Sequence, residues 1–101
     1  MYLNWSTGVT GTTRAYFETG SWKLASGRIF SAAEEKAGKA VCMLGETVRR
    51  ELFGQQNPVG SRVRVKKFSC EIIGLLQARG QSSMGSDQDN VVIMPLRTVQ
   101  R

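Results

Sequence analysis

The stretch from Ala40 to Phe53 decides the fold class: it reads Ala-Val-Cys-Met-Leu, then Gly45, then Glu-Thr-Val-Arg-Arg-Glu-Leu-Phe. Its first part is a continuous apolar run, which is typical of a strand covered on both faces of a sheet. In its second part Val48 and Leu52 share one face while the arginines turn outward, which indicates a helix over Thr47–Phe53. A buried strand therefore leads directly into a covering helix.

The same alternation continues on both sides of this stretch. Ser31 and Glu34 have the spacing of a capping box, which predicts a helix over Ala32–Lys36. Thr12 or Thr13 can cap a shorter helix upstream. The predicted strands centre on Val41, Val63, Ile72 and Val92. Because apolar strands alternate with capped helices, we predict a small single domain of the α+β class, with a mixed β-sheet and two or three short covering helices.

Three strand segments carry finer predictions. In the long strand after Lys67, one face is predicted to hold Phe68, Cys70, Ile72 and Leu76. Gly74 inside that strand indicates a bulge or a close backbone approach. Arg62 to Val65 alternates basic and apolar residues, which is typical of an edge strand protected against aggregation. Leu3 to Val9 is predicted to hold one further strand.

The two cysteines, Cys42 and Cys70, each lie in an apolar strand-like run, and the sequence has no histidine to complete a zinc site. We predict two reduced or inert buried thiols that act as small hydrophobic residues, and a stability that does not depend on a bridge. A disulfide would require two neighbouring strands with facing side chains, which the sequence leaves open.

The charge balance is basic, with 14 Lys and Arg against 8 Asp and Glu and a net charge of +6. Such an excess biases a protein toward anionic partners. A small basic nucleic-acid-binding module rich in strands is therefore the alternative function, with Arg62, Arg64 and Lys66 facing phosphates. Base stacking would require aromatic residues close to this segment, but Tyr2, Trp5, Tyr16 and Trp22 lie far away in the sequence, so no nucleic acid is expected as a partner.

Patterns for catalysis are missing from the sequence. Without histidine, Ser–His and Cys–His nucleophile pairs cannot form within this chain, which disfavours a small hydrolase. Asp87 and Asp89 have the spacing of the first ligands of a calcium loop, but the glycine and the closing glutamate of that motif are absent. We therefore expect no enzymatic activity, no cofactor and no metal.

No apolar window approaches the ~20 residues of a transmembrane helix, and the first residues do not have the pattern of a signal peptide. The chain as given is expected to stay in the cytosol when expressed, or to be a piece of a larger exported or membrane protein.

The segment Gly80–Asn90 is polar and rich in glycine and serine, and an apolar strand follows it. Such a segment predicts a mobile, exposed loop, and loops of this length often carry function. Its candidate partner-contact residues are Gln81, Ser82, Met84, Asp87, Gln88 and Asp89. The alternative is a plain solvated connection between two strands.

Seven short motifs follow one another along the chain. They are Gly27-Arg-Ile-Phe30, Val41-Cys-Met-Leu-Gly-Glu-Thr-Val48, Glu51-Leu-Phe-Gly54, Asn57-Pro-Val-Gly60, the run from Phe68 to Gly74, Gly80-Gln-Ser82 with Gly85-Ser-Asp-Gln-Asp-Asn90, and Pro95-Leu96. In this order they resemble the extracytoplasmic core domain of bacterial ABC-transporter permeases of the MacB/FtsX-like type. The resemblance covers nearly the whole chain, from Gly8 to Arg101.

This resemblance implies that residues 1–101 are a fragment of the periplasmic core domain of such a permease, on the periplasmic side of the inner membrane. It implies a non-catalytic role in an efflux or lipoprotein-release transporter, in which ATP-driven motion reaches substrate or a periplasmic adaptor. The implied partners are the rest of the permease, its dimer mate, the cytoplasmic ATPase indirectly, and the adaptor protein. No cofactor is implied.

Overall fold

The computed structural model describes residues 2–3, 8–20, 22–65, 67–79 and 88–100. Strands and short helices alternate along them. The strands are β1 (Tyr2–Leu3), β2 (Gly8–Thr12), β3 (Leu24–Gly27), β4 (Val41–Leu44), β5 (Arg62–Val65), β6 (Phe68–Leu76) and β7 (Val91–Pro95). The helices are α1 (Arg14–Thr19), α2 (Ala32–Ala37), α3 (Glu46–Phe53) and α4 (Leu96–Gln100). The predicted α+β class is confirmed.

The strands form one mixed sheet in the order β1-β5-β6-β4-β7-β2, and β3 also pairs with β6. The pairs β1/β5, β4/β6 and β2/β7 are parallel, whereas β5/β6, β3/β6 and β4/β7 are antiparallel. The long strand β6 pairs with β5 along its first half and with β3 along its second half. The four predicted strand centres all lie in this sheet.

The segment predicted as one strand over Leu3–Val9 contributes to two. β1 lies at the β5 end of the sheet and β2 lies at the opposite end, so the prediction of a single strand is wrong. The prediction that Arg62–Val65 forms the edge is also corrected, because β1 pairs with Arg64 and Val65. Its alternation is confirmed: the arginines are exposed and the valines are buried.

A bulge halfway along β6 shifts the alternation of its side chains. After the bulge, each side chain points to the opposite face of the sheet from the one that strict alternation predicts. Cys70 and Ile72 belong to the core on one face, and Ile73 and Leu76 belong to the core on the other. In the pairing with β4, Cys42 faces Ile72 but Met43 faces Gly74, so one residue is inserted. The prediction that Leu76 shares the face of Cys70 is therefore wrong, while the bulge predicted at Gly74 is confirmed.

Gly74 also meets the second expectation, a close backbone approach. A Cβ atom at this position would lie 2.7 Å from the carbonyl oxygen of Arg28. No side chain other than hydrogen fits there without a shift of the backbone. The turn that leads from β3 toward α2 can therefore press directly against β6.

The first two helices, α1 and α2, begin where the capping signals predict. Thr13 accepts a hydrogen bond from the N–H of Tyr16 at 3.1 Å and caps α1. Ser31 and Glu34 form the predicted capping box, with distances of 3.1 Å and 2.8 Å. α2 runs one residue beyond the predicted end, to Ala37, and α3 begins one residue earlier than predicted, at Glu46.

Cys42 and Cys70 form a disulfide, with a Cα–Cα distance of 5.8 Å. Both residues are fully buried, as predicted, but the prediction that their thiols are reduced is wrong. The physical reason is topological. Their strands, β4 and β6, are parallel neighbours, and both side chains point to the same face of the sheet. Nothing in the sequence shows which strands are neighbours.

Candidate partner-contact surface

The predicted contact loop lies only partly within the described residues. Gln81, Ser82, Met84 and Asp87 fall outside them, whereas Gln88 is half-buried and Asp89 is only 8% exposed. For Asp89 the prediction of an exposed loop residue is wrong. The described part of the segment is its attachment to the sheet.

Asp89 fixes the end of the segment through its side chain and its backbone. Its Oδ1 accepts a hydrogen bond from the N–H of Arg79 at 2.7 Å, and its carbonyl oxygen accepts one from the N–H of Thr47 at 3.2 Å. A Cβ atom at Gly45 would lie only 2.2 Å from that carbonyl oxygen. Gly45 therefore allows Asp89 to sit against the start of α3.

The other end of the segment is held by aromatic contacts. The guanidinium of Arg79 lies over the ring of Trp22, 5.4 Å from its centroid. Trp22 stacks on the buried ring of Phe17, with centroids 6.1 Å apart and an interplanar angle of 13°. We call Trp22, Arg79 and Asp89 the loop base. Through it, residues 79 and 89 are tied to each other and to the core.

A second surface, which sequence reasoning missed, lies at the β2 end of the sheet. Among the described residues the two exposed large hydrophobic side chains are Tyr16, 65% exposed, and Leu96, 38% exposed. Both line an open cleft of about 420 Å³, which shares Thr13 and Leu96 with a neighbouring cleft of about 450 Å³. We call these two clefts together the Tyr16–Leu96 groove.

The walls of the Tyr16–Leu96 groove are well fixed. Arg97 of α4 donates from Nη1 to the carbonyl oxygen of Lys36 at 2.9 Å, and Thr98 donates from Oγ1 to that of Lys39 at 2.8 Å. These bonds dock α4 on α2 and on the turn that follows α2. The groove is lined by apolar surface, threonine hydroxyls and cations. The sequence held no signal for it, because nothing in the pattern around Tyr16 shows that α1 turns this side chain to solvent.

Glu34, in the first turn of α2, is the centre of a cluster of charged contacts that stabilises the fold. Glu34 accepts two hydrogen bonds from Arg28, at 2.7 Å and 3.1 Å, and one from the N–H of Ser31. Lys39 lies 3.6 Å away. The bonds from Arg28 are the main reason that the pKa of Glu34 falls from 4.5 to about 2. Arg49 lowers the pKa of Glu46 in the same way.

No three His, Cys, Asp or Glu side chains within the described ranges come together as a group that could hold a metal ion. Nor does any helix in this part of the chain have the length and apolar character needed to span a membrane.

Comparison with known proteins places the chain in a family. The model of the MacB-like periplasmic core domain matches residues 1–101. The macrolide export ATP-binding/permease protein MacB of Syntrophobacter fumaroxidans is 38% identical over 93 residues, 91% of this chain and 13% of that protein. The protein of the same name from Rhodospirillum rubrum is 38% identical over 97 residues, 95% of this chain and 15% of that protein.

Solved structures agree with the sequence match. The periplasmic region of MacB from Actinobacillus actinomycetemcomitans superposes with a TM-score of 0.73 at 26% identity, covering 90% of this chain and 38% of that one. The extracellular domain of the ABC-type transporter YknZ has the same fold, with a TM-score of 0.76 at 20% identity over 91% of this chain and 44% of that one. The chain belongs to the MacB-like periplasmic core domain family. It is a periplasmic domain of a MacB-like ABC-transporter permease.

Proposed function

We propose that this chain is a non-catalytic part of the periplasmic region of an inner-membrane exporter, and that it transmits ATP-driven motion to substrate or to a periplasmic adaptor. The chain spans 13% and 15% of the length of the two curated relatives described above, so residues 1–101 are taken as a fragment of the core domain. Its partners would be the rest of the permease, its dimer mate, the adaptor, and the cytoplasmic ATPase indirectly.

The loop base is the observation that carries this proposal. A segment can transmit a displacement of the domain to a partner only if both ends of the segment move together with the domain. Asp89 accepts a hydrogen bond from the backbone N–H of Arg79 at 2.7 Å and another from the N–H of Thr47, at the start of α3, at 3.2 Å. The guanidinium of Arg79 lies over the ring of Trp22, which stacks on Phe17. A rigid-body displacement of the sheet would therefore carry both ends of the segment with it.

The contact residues themselves are proposed to be Gln81, Ser82, Met84 and Asp87, with Gln88 at the margin. Polar side chains around one methionine form a contact that adapts to a partner's shape. Asp89 is assigned a positioning role in place of a contact role, because its carboxylate is buried and bonded to Arg79. The relatives' name makes macrolides the first substrates to test.

The test uses the complete transporter with Gln81, Ser82, Met84 and Asp87 all replaced by alanine. We expect macrolide transport and adaptor association to fall at least ~10-fold while ATP hydrolysis continues, since about 1.4 kcal/mol of lost contact is a tenfold change in affinity. The matched control is Gln55→Ala together with Gln56→Ala, two exposed positions in the turn after α3. Transport and adaptor association equal to those of the control variant would reduce the segment to a plain connection.

A further inference from the structure

The disulfide lies beneath the chain segment that it closes into a loop. Cys42 and Cys70 are 28 positions apart, and α3 and β5 lie between them. Val48 of α3 and Val63 and Val65 of β5 belong to the same core cluster as both cysteines, and all three are at most 1% exposed. The residues that cover the two sulfur atoms are therefore partly those of the intervening loop.

Formation of this bond requires a second molecule. Two thiols become a disulfide only when two electrons pass to an acceptor, and the described residues offer no other cysteine to serve. The ordinary acceptor for protein thiols is another disulfide. The thiolate of one cysteine attacks it, a mixed disulfide forms, and one thiolate of the acceptor leaves. The second cysteine thiolate then attacks the first cysteine's sulfur, forms the Cys42–Cys70 bond and releases the acceptor's other thiolate.

A mixed disulfide has no room in the folded domain. Both cysteines are 0% exposed, and they are packed among Leu44, Ile72 and Val92. An acceptor sulfur could come into line with either cysteine only if α3 did not pack on that face of the sheet or β5 did not pair with β6, because exchange depends on access to the sulfur.

We propose that Cys42 and Cys70 are substrates of a dithiol–disulfide oxidant that acts before α3 packs on this face of the sheet and before β5 pairs with β6. Oxidation thus precedes completion of the sheet, and afterwards the bond is exchanged only when the domain opens globally. A protein-based disulfide oxidant of the exported compartment and a small-molecule disulfide share this chemistry, and both must reach the unfolded chain.

The first test measures reduction of the folded, oxidised chain by dithiothreitol, with new thiols counted by maleimide mass tagging. The same measurement in denaturant gives the rate for accessible sulfurs. We expect native reduction to be at least ~1,000-fold slower, since the open state of a stable domain is that rare. In sub-denaturing urea, the logarithm of the rate should rise with the slope of global unfolding.

Three results would overturn the proposal. They are native reduction within ~10-fold of the denatured rate, a native rate that does not respond to sub-denaturing urea, and two free thiols in protein purified after export.

The second test reverses the order of events. Reduced chain receives oxidised glutathione either while unfolded or after transfer to native conditions. Rapid bond formation only in the unfolded chain supports the proposal, and so does a reduced chain that fails to fold without the oxidant. A folded, reduced chain that forms the bond as fast as the unfolded one would contradict it. The result with a bacterial dithiol oxidase in place of glutathione then distinguishes the two sources of oxidant.

Discussion

The face of the sheet around Cys42 and Cys70 and the loop base are held together by different means. On the sheet face, apolar side chains and one covalent bond join strands that are distant in sequence. The loop base consists of one carboxylate, one guanidinium and one aromatic ring, and it is held in place by the ring of Phe17 stacked on Trp22 and by the space left at Gly45. The sheet face is stabilised by the burial of many alternating apolar side chains, whereas the loop base is stabilised by a few contacts between particular atoms.

The largest expected effect is on the disulfide side of this comparison. Cys42→Ala together with Cys70→Ala removes a bridge across 28 positions, which the chain-entropy model values at about 3–4 kcal/mol of unfolding free energy. The melting temperature should fall by about 15 °C, given ~4–8 °C per kcal/mol in a domain of this size. Dithiothreitol added during thermal unfolding of the unmodified chain should give a similar fall and none in the double variant. A shift below ~3 °C would show that the bridge is absent or has no stabilising effect.

At the loop base the corresponding change is Gly45→Ala. Its Cβ would lie 2.2 Å from the carbonyl oxygen of Asp89. The backbone must therefore shift, and the free energy of unfolding should fall by about 3 kcal/mol. Gly54→Ala is the matched control, because no atom lies within 4 Å of a Cβ there and only its positive φ of 59° is strained. Urea denaturation that finds equal losses for the two variants would show that the loop base can shift to make room.

The carboxylate of Glu34 gives an intermediate effect that depends on pH. Its pKa is lowered from 4.5 to about 2, so the folded state favours the charged form. The charged form of Glu34 therefore adds to the free energy of unfolding above pH 4.5, and this stabilisation is lost as the pH falls toward 2. We expect Glu34→Gln to cost about 2 kcal/mol at neutral pH, since solvent around the exposed Arg28 weakens the pair.

The two stability curves, for the unmodified chain and for Glu34→Gln, should converge as the pH approaches 2. A difference between the curves that stays constant from neutral pH down to pH 2 would mean that charge is not what Glu34 contributes.

The smallest effect is expected in the Tyr16–Leu96 groove. Tyr16→Ala should change the free energy of unfolding by less than ~0.5 kcal/mol, because its side chain is 65% exposed. Phe17→Ala, at the next position, should cost about 3 kcal/mol or more, because its ring is buried against Trp22. If urea denaturation gave equal losses of unfolding free energy for Tyr16→Ala and Phe17→Ala, both rings would have to be buried in the core.

Much of the interior was predictable from the sequence, because its signals are local. The run Val41–Leu44 is buried at every position, and the Ser31–Glu34 capping box forms as its spacing predicts. Leu76 shows where this stops: the bulge beside Gly74 was predicted, yet its consequence for the facing of Leu76 depends on which residue is inserted. The disulfide was missed because strand neighbours follow from topology, which alternation does not encode.

The candidate site was less predictable than the fold. Composition identified the polar segment 80–90, but it could not show that Asp89 has a partner in Arg79 and is buried. The Tyr16–Leu96 groove depends on the docking of α4 on α2, a contact between residues about sixty positions apart, as in the bond from Arg97 to Lys36. Side-chain surroundings of this kind are decided only when the whole chain has folded.

In the proposed function, the loop base couples motion of the sheet to the contact segment. This coupling is tested most directly by the ratio of macrolide transport to ATP hydrolysis in the complete transporter carrying Asp89→Ala or Asp89→Asn. Asparagine keeps a side-chain oxygen for the N–H of Arg79, and alanine does not. We predict that the ratio falls at least ~10-fold with alanine and is largely retained with asparagine, in line with the cost of one lost buried hydrogen bond. An unchanged ratio in a folded Asp89→Ala transporter would contradict the account.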